Sequence, residues 1–289
     1  MPLDHFLPAT YIAGFSTDTN PIRRERRVWV ADKQTGKIFE TAASNVCAIN
    51  DFYTLKSSQF DADSRRVVDE QFSYYEGPLA NAINLLIRGV VDAHTWLTVL
   101  IRFVAGLLVR GPDFNHRFLR RFSDSFRTEL GKLDPVFYGR DNTNFARILE
   151  HQRLLAPICG ATWTVLETSG GVEQITNDLG FVGFEHVQTR YRGIAVPLDR
   201  HHILTLTPRL QAILAIAKAG TWVPEIHFGK LPDKQHIAFT TTVGAAAQRF
   251  VFGPTDRAVT PHVMKQDLPP FSSRSCRSWL PRGPKGKRA

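Results

Sequence analysis

Apolar side chains recur at helical spacing from about residue 64 to residue 109, and this stretch most limits how the chain can fold. The side chains that share this spacing are Val67, Val68, Phe72, Tyr75, Leu79, Ile83 and Leu86. Intervals of three and four place them on one side of a helix, which must be buried against other elements. Pro78 is expected to kink or divide the helix, and Gly111–Pro112 is expected to end the helical stretch.

Alternating apolar and polar residues, the pattern of half-buried strands, lie on both sides of the helical region in the sequence. RVWVAD and KIFETA flank the turn sequence KQTG and predict a hairpin. ATWTVLET and VEQITND around SGG predict a second hairpin, and GIAVPL and HILTLTP predict two more strands. TTTVGAAAQRFVFG predicts a last helix that begins at a threonine cap.

These patterns together predict an α+β fold. A central helical block spans about residues 64–160, with further helices in FNHRFLRRFSDSFRTELGKL and FARILEHQRLLAPICGA. Antiparallel hairpins from the N-terminal and C-terminal parts of the chain are expected to pack with this block. We expect one domain over residues 1–253, followed by a disordered tail over residues 254–289 that is rich in Pro, Gly, Ser and Arg.

Positive charge is concentrated in that tail. From residue 265 to the end there are seven basic residues and one acidic residue, which is a net charge of +6 out of the +9 of the whole chain. A tail of this charge could bind nucleic acid through its phosphates. A solvated extension that only keeps the protein soluble explains the same composition, and the sequence does not separate the two.

Two apolar stretches raise the question of a membrane. LDHFLPATYIAGFS at residues 3–16 is interrupted by Pro8 and Gly14, which does not fit a secretory signal. TWLTVLIRFVAGLLV at residues 95–109 is shorter than a typical span and contains Arg102, so a buried core helix is expected. The three cysteines are far apart, which suits a reducing compartment. We therefore expect a cytoplasmic location and no membrane partner.

Sequence motifs for several common activities are missing. The chain has no GxxxxGK[ST], no GxGxxG after a strand, no HExxH and no GxSxG. These absences count against P-loop nucleotide hydrolysis, dinucleotide redox chemistry, HExxH metalloproteases and the usual esterase elbow. The cofactor stays unknown, no metal-binding residues are predicted, and the metal requirement and the oligomeric state stay open.

A series of short segments resembles the domain-of-unknown-function 4238 family. DHFLPATYIAGFS is similar to the start of that family, VWVADKQTG to its first hairpin, and NVCAINDFYTL to a segment ending in Asp-Phe-Tyr. YYEGPLA, FVAGLLVRGPDF, WTVLETSGGVEQITNDLGF and VPLDRHHILTLTP follow in the same order. The resemblance covers about residues 4–253 and implies a mainly bacterial family without an established activity.

The sequence departs from the family pattern at two positions. Asp4 stands where the family commonly has a second histidine before His5. The family element Asp-x-Pro is reduced to Asp178, which is followed by Leu179 and Gly180. Any mechanism that needs a histidine pair or a proline after the aspartate is therefore in doubt.

His5 and Asp178 are two candidate catalytic residues that the resemblance supplies. His5 is followed by apolar residues, and a partly buried imidazole can act as acid, base or ligand. The alternative is that His5 bonds to a backbone carbonyl and only fixes the N-terminal segment. Asp178 follows a predicted strand in TND, where it could face a cleft or make a local turn or cap.

Glu76 and Arg110 are the other two candidates. Arg110 ends the most apolar helix, where its guanidinium could bind a phosphate or carboxylate or could satisfy the last carbonyls of the helix. Glu76 lies among Tyr74, Tyr75 and Leu79 and is a candidate catalytic base. An ion pair with Arg110 or another arginine is the plainer interpretation of Glu76, because an unpaired carboxylate there would be costly.

Two functions of different class remain open. One is a hydrolase acting on a phosphodiester or another anionic substrate, with His5, Glu76 and Asp178 as catalytic residues and Arg110 binding the substrate. The other is a non-catalytic module that binds nucleic acid or protein with help from the basic tail. Whether the chain is an enzyme is therefore not decided by its sequence.

Overall fold

The computed structural model describes residues 3–56, 64–114, 140–185, 192–207 and 226–263. The chain divides into two compact units, which are described separately. The first unit comprises Met1–Thr10 and Ser44–Cys159, and the second comprises Tyr11–Ala43 and Gly160–Ala289. Helices and mixed sheets are both present, so the predicted α+β class is confirmed.

In chain order the helices are α1 (Ala9–Ile12), α2 (Val67–Ile87), α3 (Ala93–Thr95), α4 (Ile101–Arg110), α5 (Arg140–Cys159), α6 (Asp233–Ala246) and α7 (Asp256–Val259). The strands are β1 (Leu3–His5), β2 (Arg27–Asp32), β3 (Lys37–Ala42), β4 (Ala48–Asn50), β5 (Thr162–Thr168), β6 (Thr176–Asn177), β7 (Val182–Glu185), β8 (Arg192–Pro197), β9 (His202–Thr207), β10 (Ile226–Leu231) and β11 (Phe250–Gly253). A π-helical turn, Trp96–Leu100, connects α3 to α4.

The first unit contains the helical block. α2 packs against the π-helical turn and α4, and α4 packs against α5. β1 and β4 form a short antiparallel pair in which His5 lies opposite Ala48. α4 ends at Arg110, as Gly111–Pro112 predicted, and α5 begins before the predicted segment FARILEHQRLLAPICGA and ends two residues before its last residue. The helix expected in FNHRFLRRFSDSFRTELGKL lies almost entirely outside the described residues.

Pro78 does not divide α2, which continues from Val67 to Ile87. This part of the sequence-based expectation is wrong. Pro78 is on the exposed side of the helix, where water can bond to the carbonyl that proline leaves without a partner. On the opposite side, buried Phe72, Tyr75 and Leu79 hold the helix against the unit.

Ala93–Arg110 has the length and composition of a membrane-crossing helix, with a mean hydropathy of 1.3. Of this window, 61% is buried inside the structure, as expected for a core helix. One such helix is only a weak indication of a membrane span, because core helices meet the same criteria.

The second unit contains two sheets. One has the strand order β3-β2-β11-β6 and is antiparallel, and it includes the predicted first hairpin. The other has the order β10-β5-β9-β8-β7, in which only β10 and β5 are parallel. Leu166, Ile203 and Leu231 of this sheet pack in one core with Phe239 and Val243 of α6.

The predicted second hairpin is wrong, because its two strands belong to different sheets. β5 lies between β10 and β9, so both of its edges are occupied. β6 pairs instead with β11, where Asn177 lies opposite Val251. The alternating pattern identified the strands but carried no information about these distant partners.

The C-terminal part also differs from the expectation in two ways. The last long helix begins at Asp233 rather than at a threonine and ends at Ala246, and Phe250–Gly253 is a strand. Residues beyond 253 continue into α7 and a 3-10 turn, Thr260–His262, so the predicted tail is folded as far as Val263. Residues 264–289 lie outside the described part of the chain.

Candidate functional site

Arg110 is the centre of the candidate site in the first unit. It is the last residue of α4 and is 2% exposed. Its Nη1 donates to Glu76 Oε1 at 2.5 Å, its Nη2 donates to the backbone oxygen of His5, and its Nε lies 3.4 Å from the hydroxyl of Tyr53. The ring of Phe72 lies 4.9 Å from the guanidinium. One guanidinium therefore joins three of the elements in this unit.

The surroundings keep Arg110 charged although it is buried. Burial opposes its charge, but attraction to Glu76 and the contacts with Tyr75 and Tyr53 raise its pKa well above the ordinary value. Burial also raises the pKa of Tyr75, to about 12, so this phenol stays protonated near neutral pH. The Tyr53 hydroxyl donates to the backbone oxygen of Arg110 at 3.1 Å.

Glu76 and His5 are the accessible members of this group. The side chain of Glu76 is 25% exposed, and that of His5 is half-buried. His5 Nε2 lies 3.0 Å from the backbone oxygen of Ser44. Because a carbonyl only accepts, Nε2 carries a proton, and in the neutral form of the ring the lone pair lies on Nδ1. The carbonyl bond that the sequence suggested for His5 is therefore present, and it leaves one ring nitrogen as a proton acceptor.

Asp178 belongs to the second unit, directly after β6. Its two carboxylate oxygens accept from the backbone N–H groups of Gln248, Arg249 and Phe250 at 2.9, 2.7 and 3.1 Å. Burial raises the pKa of Asp178, while these hydrogen bonds act in the opposite direction. The carboxylate thus fixes the chain between α6 and β11. Its joint action with His5 stays a prediction.

Arg147 of α5 is a second buried guanidinium, which sequence reasoning missed. Its Nη1 donates to the backbone oxygens of Val109 and Gly111. Its guanidinium also lies 4.9 Å from the ring of Phe52 and 4.9 Å from that of Phe114. Arg147 therefore satisfies carbonyls at the end of α4, a role that the sequence had offered to Arg110.

Asp4, the residue before His5, is also structural. It is buried, and its carboxylate accepts from the backbone N–H of Tyr53 at 2.8 Å and lies 3.3 Å from Nη2 of Arg66. The sequence did not predict this contact with Tyr53 of the segment DFYTL. The tyrosine of that segment supplies both the backbone group that bonds Asp4 and the hydroxyl that contacts Arg110.

Within the described part of the chain, no group of three or more His, Cys, Asp or Glu side chains is arranged to hold a metal ion. His202 Nδ1 lies 2.9 Å from Asp199 Oδ1, and this hydrogen bond raises the pKa of His202. The side chains of the candidate site in the first unit offer a carboxylate, an imidazole and a guanidinium.

Residues 4–253 match the family described as "Protein of unknown function (DUF4238)". The chain belongs to this family. The predicted resemblance is thus confirmed, and its span includes all four candidate residues of the DUF4238 protein. No curated protein and no solved structure matches the DUF4238 protein, so its site is interpreted from its own geometry.

Proposed function

We propose that this DUF4238 protein is a hydrolase acting on an anionic substrate, a phosphodiester in the first instance. The supporting observation is that the Arg110 guanidinium contacts both Glu76 and the main chain of His5. A guanidinium, a carboxylate and the main chain of the residue that carries the imidazole thus meet within one unit. Glu76 and His5 keep part of their surface open, as groups that transfer protons to a substrate must.

Each group has a role that its contacts support. His5 Nδ1 takes the proton of an attacking water, and the Arg110 charge offsets the negative charge that develops on phosphorus oxygens. Glu76 acts in its protonated form as the general acid. Glu76 then donates its proton to the leaving oxygen, so one water is consumed and both products are complete. Asp178 remains a further catalytic candidate.

The test is an activity assay on purified full-length protein with RNA, DNA and nucleotides, with and without divalent cations. His5→Ala and Glu76→Gln should each reduce turnover by about 10²–10⁴-fold, the usual contribution of acid–base groups. His94→Ala and Glu70→Gln are matched controls, because both residues are exposed in the same unit and neither contacts Arg110. They should retain wild-type turnover.

Three results would contradict the proposal. Wild type could fail to cleave any of these substrates, the two variants could retain full activity, or the controls could lose as much activity as the variants. Asp178→Ala in the same assay tests the remaining predicted catalytic residue.

A specific observation also favours a second function, namely binding of nucleic acid through the tail. The net charge of +6 after residue 264 would add phosphate contacts without catalysis. Binding without cleavage, abolished by removal of the tail, would support this function over the hydrolase.

A further inference from the structure

Oε1 of Gln235 is one of four buried polar atoms in the second unit that have no hydrogen-bond partner within the described part of the chain. The other three belong to residues that are themselves buried. They are Oγ1 of Thr168, Nδ1 of His236 and Oγ1 of Thr240. These residues are 6%, 0% and 7% exposed. Buried polar groups in native proteins are nearly always paired with protein, water or a ligand, so three in one region require an explanation.

Backbone hydrogen bonds attach Thr168 and Gln174, the hydrogen-bond partner of His236, to two consecutive residues. Thr168 ends β5, and its N–H donates to the backbone oxygen of His201 at 2.8 Å. Gln174 donates its N–H to the oxygen of the preceding residue, Arg200, at 3.4 Å. The side chain of Gln174 in turn lies 3.0 Å from His236 Nε2. Thr168 and Gln174 therefore both bond to the segment at residues 200–201, and the side chain of Gln174 links His236 to this segment.

The hydrogen bonds of Gln174 determine which ring nitrogen of His236 has no proton. Gln174 Nε2 donates to the backbone oxygen of Ile175 at 2.5 Å, so its Oε1 is the atom that accepts from His236. Nε2 of His236 then carries the proton, and Nδ1 has a lone pair. Burial lowers the pKa of His236, which keeps the ring neutral. A buried lone pair of this kind requires a donor.

Thr240 lies one helical turn after His236 in α6, on the same buried face as Phe239 and Val243. Thr168 lies two residues after Leu166 of the core in β5, so the two side chains point to the same face of the sheet. This is the face that packs against α6. The two hydroxyls and the imidazole lone pair thus belong to one layer between α6 and the five-stranded sheet.

We propose that Thr168, His236 and Thr240 form a binding site for a small uncharged group that donates an O–H or N–H to His236 Nδ1. The two threonine hydroxyls complete its hydrogen bonds. The group is uncharged because the atoms that line the site are neutral, and an unpaired charge at this depth would be strongly unfavourable. Ordered water and the hydroxyl or amide of a small organic molecule share this chemistry.

Replacement of each hydroxyl by a methyl group in the full chain tests the site. If the hydroxyls are bonded to a bound molecule, Thr168→Val and Thr240→Val should each lower the midpoint of urea unfolding by about 0.3 M or more. If the hydroxyls have no partner, removing them should leave the midpoint unchanged or raise it, which would overturn the proposal.

Two control variants calibrate this measurement. Thr176→Val removes a buried hydroxyl that lies 3.0 Å from the Tyr11 hydroxyl and should lower the midpoint. Thr241→Val removes an exposed hydroxyl from the same helix as Thr240 and should change the midpoint little.

A measurement on the wild-type protein tests the same site without any variant that could fail to fold. The ¹⁵N shift of His236 Nδ1 should be that of an unprotonated nitrogen that accepts a hydrogen bond. The shift of a bare nitrogen, or protonation at Nδ1, would overturn the proposal.

Two further measurements identify the source of the donor. An extra mass in native mass spectrometry that disappears after unfolding and refolding indicates an organic molecule. Magnetisation transfer from water to the His236 ring without an extra mass indicates ordered water. The absence of both would contradict the site.

Discussion

Arg110 and Arg147 show how the same side chain serves two purposes inside one unit. Arg147 directs Nη1 at backbone oxygens at the end of α4, so its role is to complete a helix terminus. Arg110 instead reaches a carboxylate that is partly open to solvent. Only the second arrangement leaves an acid–base group that a substrate can approach, which is why the proposed chemistry is placed there.

Lysine cannot replace Arg110 without loss. Its single ammonium cannot reach Glu76, the His5 oxygen and Tyr53 together, because the three acceptors surround a planar fork. Arg110→Lys should therefore reduce the free energy of unfolding by about 2–4 kcal/mol, measured by urea denaturation. Arg88→Lys, at an exposed position, should change it by less than about 0.5 kcal/mol. Equal stability of the two variants would contradict this account of Arg110.

At the residue scale, part of the site could be read from the sequence. Glu76 among aromatic residues indicated a need for an arginine, and the ion pair with Arg110 is present in the structure. Arg147 could not be identified, because it is one of three arginines in a mostly polar helix and looks like a surface residue. Its burial depends on Phe52 and Phe114, which lie far from it in sequence.

At the element scale, Asp178 controls the connection between α6 and β11. Its carboxylate accepts three consecutive backbone N–H groups where the chain leaves the helix and enters the strand. Lys33 acts on the same helix end, since its Nζ donates to the backbone oxygens of Gly244, Ala245 and Ala247. Asp178 thus accepts from the N–H groups that follow α6, and Lys33 donates to the carbonyl oxygens at its end. Both side chains come from distant positions in the sequence.

Asp178→Ala removes the acceptor of those three N–H groups. It should reduce the free energy of unfolding by about 2–4 kcal/mol, because buried donors lose a charged partner. Asp178→Asn keeps one acceptor oxygen and should be destabilised less. Faster hydrogen exchange at residues 248–250 in Asp178→Ala would localise the effect, whereas unchanged stability and exchange would show that the carboxylate does not hold this connection.

The elements differed in how well local sequence predicted them. α4 and its end were predictable, because periodicity and Gly111–Pro112 are local signals. The pairing of β6 with β11 and the parallel pairing of β5 with β10 were not, since strand partners are chosen by packing across the sheet. FVFG was predicted as helix because the capping effect of Asp178 on the residues before it is not a local signal.

At the scale of the whole molecule, each unit contains a buried neutral histidine that makes stability depend on pH. Burial lowers the pKa of His151 in the first unit to about 4, although a bond to the Arg102 backbone oxygen acts in the opposite direction. Burial and the charge of Lys33 lower the pKa of His262 in the second unit to about 4. Both lie below the ordinary value near 6.5.

Stability should therefore fall as the pH decreases from about 6.5 to about 4. In this window the unfolded chain binds protons at these histidines and the folded chain does not, and each site can contribute at most a few kcal/mol. His151→Gln and His262→Gln should each show a smaller loss of unfolding free energy between pH 7 and pH 4.5 than wild type. Parallel pH profiles for wild type and both variants would contradict this assignment.

The tail is considered at the scale of the whole molecule because its positive charge attracts nucleic acid over a long range. If it binds nucleic acid, deletion of residues 265–289 should weaken binding and make its logarithmic salt dependence shallower. The slope should change by about 0.9 for each phosphate of duplex DNA that the tail neutralises. A chain in which the seven basic tail residues are replaced by glutamine is the matched control for length. Unchanged affinity in both would leave the tail without a role in binding.

Neither unit is formed by one continuous stretch of sequence, because residues 11–43 of the second unit precede residues 44–159 of the first. During synthesis, the β2–β3 hairpin is made long before Phe250 of β11, which lies opposite Asp32. More than half of the polypeptide must therefore be translated after β2 before β11, which pairs with the free edge of β2, has been made. Premature association of that edge with other chains is the hazard that this chain order creates for the nascent protein.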